Sequence, residues 1–227
     1  MCIRDRCDVL NKMGAQIEGI GTTTLTIHGV KELRPVNVTT IPDMIEAGTF
    51  LMAGALMGRI TLNKVDPSHL SIVTQQLEQA GGTLGIHDDS ITIEKCNELQ
   101  AVDITTDVHP GFPTDLQAQM MALMSLANGN SQIKENIFEN RFMHVAELNR
   151  MGAKIKIKGN NAIIEGNTKF EGAELMATDL RASVSLILAA LTSKNKSIIN
   201  RIYHLDRGYE QIEKKLKKIG AKIKRLA

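Results

Sequence analysis

The chain has 227 residues, enough for one or two domains. A hydrophobic fraction of 43% with 23% charged residues excludes a wholly disordered polymer, and three cysteines (Cys2, Cys7 and Cys96) at no metal-like spacing exclude a disulfide-stapled scaffold. Basic and acidic residues number 27 and 25, aromatics are two Tyr and five Phe, and no apolar run is both long and uncharged enough to cross a bilayer, so neither nucleic acid nor a membrane is predicted as a partner.

In chain order, Met1 to Arg6 fits neither a helix start nor the pattern that follows, and reads as a gene-boundary artefact. It has no apolar signal region after it, and with free thiols the chain is predicted to be cytoplasmic. A helix tail ending at Gly14, two strands about Gly19-Ile20-Gly21 and a connection through Glu32-Leu33-Arg34-Pro35 follow. Residues 1–39 are therefore expected to be the end of a preceding domain, and 40–227 a domain of their own. Asp43 to Met57, Thr114 to Ala127 and Asp179 to Leu191 are apolar nearly all round, which predicts helices buried on every side. Ser68 to Ala80, Arg141 to Met151 and Arg207 to Ile219 are amphipathic and predicted to lie outside. Strand hairpins are expected at Asp88-Asp89-Ser90 and at Gly159-Asn160-Asn161, the latter between Lys-Ile-Lys-Ile-Lys and Ala162-Ile163-Ile164.

One pattern, Leu-x-x-apolar-Gly-(Ala/Gly)-x-apolar, occurs from Leu10, Leu77, Leu148 and Leu216. Its glycines, Gly14, Gly81, Gly152 and Gly220, lie 67, 71 and 68 residues apart. The Leu belongs to the last buried turn of a helix, the Gly takes the left-handed position that ends it, and a strand then begins. Each unit reads strand, buried helix, strand, surface helix, hairpin. Three buried helices must pack on one another, which predicts an inside-out α/β barrel of pseudo-threefold βαβαββ repeats. The third unit stops at Ile223, before a hairpin partner, so its last strand is expected from elsewhere in a longer chain.

Three arginines are placed in first helical turns: Arg141 after Asn140, Arg207 after Asp206, and Arg181 two after Asp179. A cation there opposes the helix dipole by roughly 0.3–1 kcal/mol. Converging arginines and free N–H groups would make an anion site; alternatively the neighbouring aspartates pair with them, or they are solvated. Asp115 is either a first-turn residue favouring the dipole, behind Thr114 as N-cap, or a general base at a ligand mouth. The six histidines form no i,i+4 pair and no cluster with cysteine, and no phosphate-cradling loop occurs, so no metal and no cofactor are predicted. Eleven methionines and the lysines of 214–218 read as core and solvated face.

Four stretches then point to a family. Phe138-Glu139-Asn140-Arg141-Phe142-Met143-His144-Val145 resembles a motif of the UDP-N-acetylglucosamine 1-carboxyvinyltransferases, the enolpyruvyl transferases of peptidoglycan synthesis. So do 110–119 (Pro-Gly-Phe-Pro-Thr-Asp-Leu-Gln-Ala-Gln), 177–183 (Ala-Thr-Asp-Leu-Arg-Ala-Ser) and 206–210 (Asp-Arg-Gly-Tyr-Glu). The resemblance runs from about Cys7 to the C-terminus. It implies two inside-out domains with the site in the cleft between them, the second borrowing a strand from the extreme N-terminus. It implies UDP-N-acetylglucosamine and phosphoenolpyruvate as substrates and a missing N-terminal domain as partner. Asp115 matches the aspartate that contacts the sugar hydroxyl and moves a proton; Ile137 matches a backbone contact to the nucleotide sugar. Arg141, Arg181 and Arg207 match arginines that grip anionic groups, and Asp179 falls in the same substrate-binding set.

The family's catalytic cysteine sits in a Gly-Cys-x-Ile-Gly-x-Arg-Pro loop of the first domain. No such text occurs here, and Cys2, Cys7 and Cys96 do not match it. The first-domain lysine and arginines that hold phosphate are also absent, and Met44 stands where many members have Arg. The polypeptide alone is expected to be inactive. The alternative is a non-catalytic nucleotide-sugar-binding module on the same fold.

Overall fold

The computed structural model describes residues 2–226, in two compact units, Met1–Pro42 and Asp43–Ala227. In the first, helix α1 (Cys2–Lys12) is followed by strands β1 (Gln16–Glu18) and β2 (Thr26–His28), paired antiparallel with Ile17 opposite Ile27. Residues 2–6, expected to fit no helix, are part of α1. Asp5 in its first turn and Lys12 in its last both suit the helix dipole. Met1 lies outside the described residues.

The second unit is built on α2 (Met44–Met57), α4 (Gln117–Leu126) and α6 (Leu180–Thr192), each packed against the other two. Buried residues run without a break over 47–55 in α2, 117–125 in α4 and 182–189 in α6, as the all-round apolar text predicts. Glycine permits the close packing of α2: a Cβ on Gly54 would lie 2.4 Å from Ile93 Cγ2 and 3.3 Å from Ile60 Cβ.

Strands and outer helices surround this centre. In the first repeat, β3 (Ile60–Asn63), α3 (Ser71–Gln79), β4 (Leu84–His87) and β5 (Ser90–Ile93) give a sheet ordered β3-β5-β4, antiparallel throughout. The second repeat is complete. Strand β6 (Ile104–Thr105) runs parallel to β7 (Asn130–Lys134), and β9 (Asn161–Glu165) lies antiparallel between β7 and β8 (Lys154–Lys158). The outer helix of this repeat is α5 (His144–Arg150). In the third, β10 (Glu174–Met176) pairs parallel with β11 (Ile198–Asn200), and α7 (Ile212–Lys218) follows. Beyond Gly220 no strand forms among the described residues. Ala221 and Ile223 instead lean on a core cluster of Phe50, Val184, Tyr209 and Leu216.

The repeated Leu-to-Gly motif forms one joint four times. Gly14, Gly81, Gly152 and Gly220 have φ of 101°, 92°, 100° and 99°. In each, the residue after the glycine donates its N–H to the carbonyl of the motif's leucine: Ala15 to Leu10 at 2.9 Å, Gly82 to Leu77 at 2.8 Å, Ala153 to Leu148 and Ala221 to Leu216 at 3.0 Å. This is the six-residue closure that satisfies a helix's orphan carbonyl. Asn11 and Asn149 add a second clasp, each both accepting from and donating to the backbone of Ile17 or Ile155 at 2.8–3.0 Å.

Two expected outer helices begin later than their sequence suggests. Residues 139–143 form a turn before α5, so Arg141 is not in a helical first turn. Residues Ile202–Arg207 form a 3₁₀ turn bounded by left-handed Arg201 and Gln211, and α7 starts only at Ile212. Arg207 therefore ends a short helix instead of opening one. The buried anchors Leu205 and Tyr209 set this path.

Candidate functional site

The turn at the head of α4 carries the cluster. Thr114–Leu116 is a 3₁₀ turn feeding α4, fixed by fully buried Leu116. Thr114 is not the N-cap expected from sequence: its hydroxyl donates to Glu135 Oε2 at 2.8 Å, and Pro113 holds the cap position without a side-chain bond.

Asp115 projects from this turn and accepts from two arginines of different repeats. Arg141 Nη2 donates to Oδ1 at 2.5 Å, and Arg181 Nη2 donates to Oδ2 at 2.9 Å. Partial burial on its own would raise the carboxyl, but the hydrogen bond and charge of Arg181, with the charge and hydrogen bond of Arg141, outweigh it and hold Asp115 below the usual aspartate range. Each guanidinium has five N–H donors and contributes one nitrogen to this contact, so both keep donors for an anion. Arg141 also lies over the Phe138 ring, its Cζ 4.9 Å from the centroid.

Arg181 does stand in a first helical turn. Asp179 caps α6, its Oδ1 accepting from the Arg181 and Ala182 backbone N–H groups at 2.8 and 3.0 Å. Asp179 thus holds the backbone of Arg181, while the Arg181 side chain reaches Asp115. Of the pairings open in the sequence, Asp206 goes to Arg225 at 2.6 and 2.9 Å and not to Arg207. Arg207 is exposed and shares no ion pair with the Asp115 cluster among the described residues. Its neighbour Gly208 packs on Leu180, the residue before Arg181: a Cβ there would lie 2.8 Å from Leu180 Cδ2.

Ile137 lies in the loop after β7, partly exposed, with its N–H donated to Glu135 Oε1 at 2.9 Å. Next to it opens a groove of about 550 Å³ lined by Phe138, Arg141, Met143, Ile157 and Asn160 among others. The sequence reading passed over three features under this surface. Glu135 is buried and accepts four hydrogen bonds. His144, 1% exposed, has an Nε2 without a partner among the described residues, and burial, with the Arg141 charge opposed by Asp179, lowers it to about 4. Thr49, Gln119 and Tyr209, one from each repeat, join hydroxyls and amide at 2.9–3.4 Å, and Gln119 also donates to the Asp115 carbonyl at 3.1 Å. Burial pushes the Tyr209 phenol up. Polar residues interrupting an otherwise apolar helix, as Gln117 and Gln119 do, were the available signal for this last group.

Cys7 and Cys96 are free and buried, and burial pushes the Cys96 thiol up. Among the described residues no three of His, Cys, Asp and Glu gather as metal ligands, and no helix is long and apolar enough to cross a membrane.

Three central helices ringed by strands and outer helices give the second unit an enolpyruvyl transferase-like fold. The chain superposes on the enolpyruvyl transferase NikO from Streptomyces tendae with a TM-score of 0.89 at 32% identity, over 98% of this chain and 54% of that one. An EPSP synthase from Acinetobacter baumannii, at 18% identity and TM-score 0.76, shares the fold. The chain belongs to the EPSP synthase (3-phosphoshikimate 1-carboxyvinyltransferase) family, whose model matches residues 1–216. It is 57% identical to a UDP-N-acetylglucosamine 1-carboxyvinyltransferase of Pelagibacter ubique and 51% identical to one of Myxococcus xanthus. It covers 54% and 53% of those proteins, so the chain spans about half the length of the curated relatives it matches.

Proposed function

We propose that this chain supplies the second domain and the end of the first (residues 40–227 and 1–39) of a cytoplasmic UDP-N-acetylglucosamine 1-carboxyvinyltransferase. The observation that carries the reading is one carboxylate, Asp115, shared by arginines from two repeats beside an open groove. In this reading the 3′-hydroxyl of UDP-N-acetylglucosamine adds to C2 of phosphoenolpyruvate while C3 takes a proton. The tetrahedral adduct then loses inorganic phosphate and a C3 proton to give the enolpyruvyl ether.

Asp115, ionised because two guanidiniums hold it so, receives the hydroxyl proton as the C–O bond forms. An arriving phosphate or carboxylate competes for Arg141 and Arg181, which loosens their hold on Asp115 and raises its basicity at the moment a base is needed. The arginines are fixed before the reaction and stabilise charge that grows at the adduct. Arg207 joins them from the end of its 3₁₀ turn, Asp179 sets the backbone of Arg181, and the Ile137 loop faces the nucleotide sugar.

The remaining groups, a catalytic cysteine loop and further phosphate-binding cations, come from the rest of the first domain. Exposed Leu25, Ile27, Val30, Leu33, Val38 and Ile41 in residues 1–42 support a need for such a neighbour. The test is a chimera in which this chain replaces the matching half of the Pelagibacter ubique relative. Phosphate release dependent on both substrates is expected from the chimera and none from the chain alone. An inactive, folded chimera that still binds the nucleotide sugar would overturn the reading in favour of a non-catalytic binding module.

A further inference from the structure

We infer that Glu135 is a positioning residue for the nucleotide-sugar face, fixing the Ile137–Phe138 loop through a hub of buried hydrogen bonds; this rests on the transferase reading above. Glu135 directly follows β7 and is 3% exposed. Its Oε1 accepts from the Thr106 hydroxyl at 2.8 Å and from the N–H groups of Ile137 and Phe138 at 2.9 and 3.1 Å; its Oε2 accepts from the Thr114 hydroxyl at 2.8 Å. Thr106, fully buried, accepts in turn from the Asn136 N–H at 2.9 Å. The Glu135 N–H reaches the Asn160 carbonyl at 2.8 Å. One residue thus joins the residue after β6, the turn carrying Asp115 and the loop carrying Ile137 through its side chain, and the β8–β9 turn at the groove's edge through its backbone.

None of these donors is a cation, and no ion pair to Glu135 forms among the described residues. A buried carboxylate without a counter-cation is poor material for stability alone. Its chemistry suits another task. Three consecutive backbone N–H groups, of Asn136, Ile137 and Phe138, are turned inward onto Glu135 and Thr106, so the backbone of this stretch has only carbonyls left to present to a ligand. The loop is then an array of acceptors, matched to the hydroxyl and amide N–H donors of an N-acetyl sugar and mismatched to phosphate. Glu135 serves binding of the sugar nucleotide, not of the small phosphorylated substrate.

The experiment uses the chimera described above with Glu135→Ala, Glu135→Gln and Thr106→Val. Losing one such acceptor or donor set should raise KM for the sugar nucleotide about tenfold or more in Glu135→Ala and Thr106→Val, with KM for phosphoenolpyruvate within about twofold. Glu135→Gln keeps an Oε1 for three of the four donors, and Thr114 can rotate to accept from the new amide, so it should stay within about threefold. Equal rises in both KM values, a loss confined to kcat, or Glu135→Gln as poor as Glu135→Ala would overturn the inference. If Glu135→Ala fails to fold, Thr106→Val decides. If the parent chimera is inactive, the transferase reading fails separately, and amide exchange in the 227-residue chain decides this one. Ile137 and Phe138 N–H groups should be protected in the parent and in Glu135→Gln and exposed in Glu135→Ala, and the Asn136 N–H, which loses its own acceptor, should be exposed in Thr106→Val; unchanged protection overturns it.

Discussion

Acidification from pH 7 to 4.5 should destabilise the chain by roughly 2–3 kcal/mol through His144 alone. The imidazole is buried at the head of α5, and burial lowers it from 6.5 to about 4, with Arg141 acting in the same direction and Asp179 opposing both. The folded state therefore holds His144 neutral where the unfolded chain protonates it. Stability from this group is complete above pH 6.5 and falls away as the pH drops towards about 4, because the unfolded state binds the extra proton across that window. At about 1.4 kcal/mol per unit, with the ends of the two titrations rounded off, the loss at pH 4.5 is roughly 2–3 kcal/mol. Urea denaturation at the two pH values reads it as a fall in midpoint of about 1 M, for a slope of about 2 kcal/mol per molar. The comparison is with His144→Leu, which titrates nothing here and should lose roughly 2–3 kcal/mol less than the parent over the same interval. Asp115 does not confuse the result: its folded value lies below 3.8, so its contribution is lost only at still lower pH. Parallel curves for parent and variant, or a His144 NMR titration centred near 6.5, would refute the argument.

Asp115→Asn in the chimera should lower kcat by roughly 10²–10⁴, the usual range for a lost acid–base group, in a phosphate-release assay, and should lower the thermal midpoint, because Arg141 and Arg181 lose their shared counter-charge. Asp179→Ala removes the cap of α6 and should cost about 1 kcal/mol in urea denaturation; it should also weaken phosphoenolpyruvate binding, because Arg181 loses its fixed backbone. Gly54→Ala places a methyl 2.4 Å from Ile93 Cγ2, against two stiff β-branched side chains, and should cost roughly 1–3 kcal/mol by the same denaturation measurement.

The central helices were legible because burial on every side leaves a trace in composition that no local accident imitates. The joints were legible because all their bonds fall within six residues. Where the structure departs from what local spacing suggests, the deciding contact is distant in sequence or buried in the core. Asp206 was open to pairing with its neighbour Arg207, but Arg225, nineteen residues on, takes it. Arg207 was placed in a first helical turn by the pattern around it; Leu205 and Tyr209, drawn into the core, make that stretch a separate 3₁₀ turn. Thr114 had the sequence of an N-cap, yet Glu135, twenty-one residues away, claims its hydroxyl. The meeting of Asp115 with Arg141 and Arg181 spans 26 and 66 residues, and spacing alone could suggest convergence without naming the partners.

The helix-ending joints have a consequence for how such a chain could be assembled and how it folds. Each is complete in itself, since the leucine carbonyl, the left-handed glycine and the donor after it need nothing from the rest of the molecule. Contacts this local form early and at little loop-closure cost, so the four joints can set the chain's punctuation before any central helix finds its neighbours. A segment bounded by two of them can also be copied and spliced in tandem without redesign of its ends. What duplication cannot supply is the meeting of unlike residues at the common centre. Asp115, Arg141, Arg181, Thr49, Gln119 and Tyr209 differ in chemistry from one repeat to the next, and it is there that three similar units have become unlike one another.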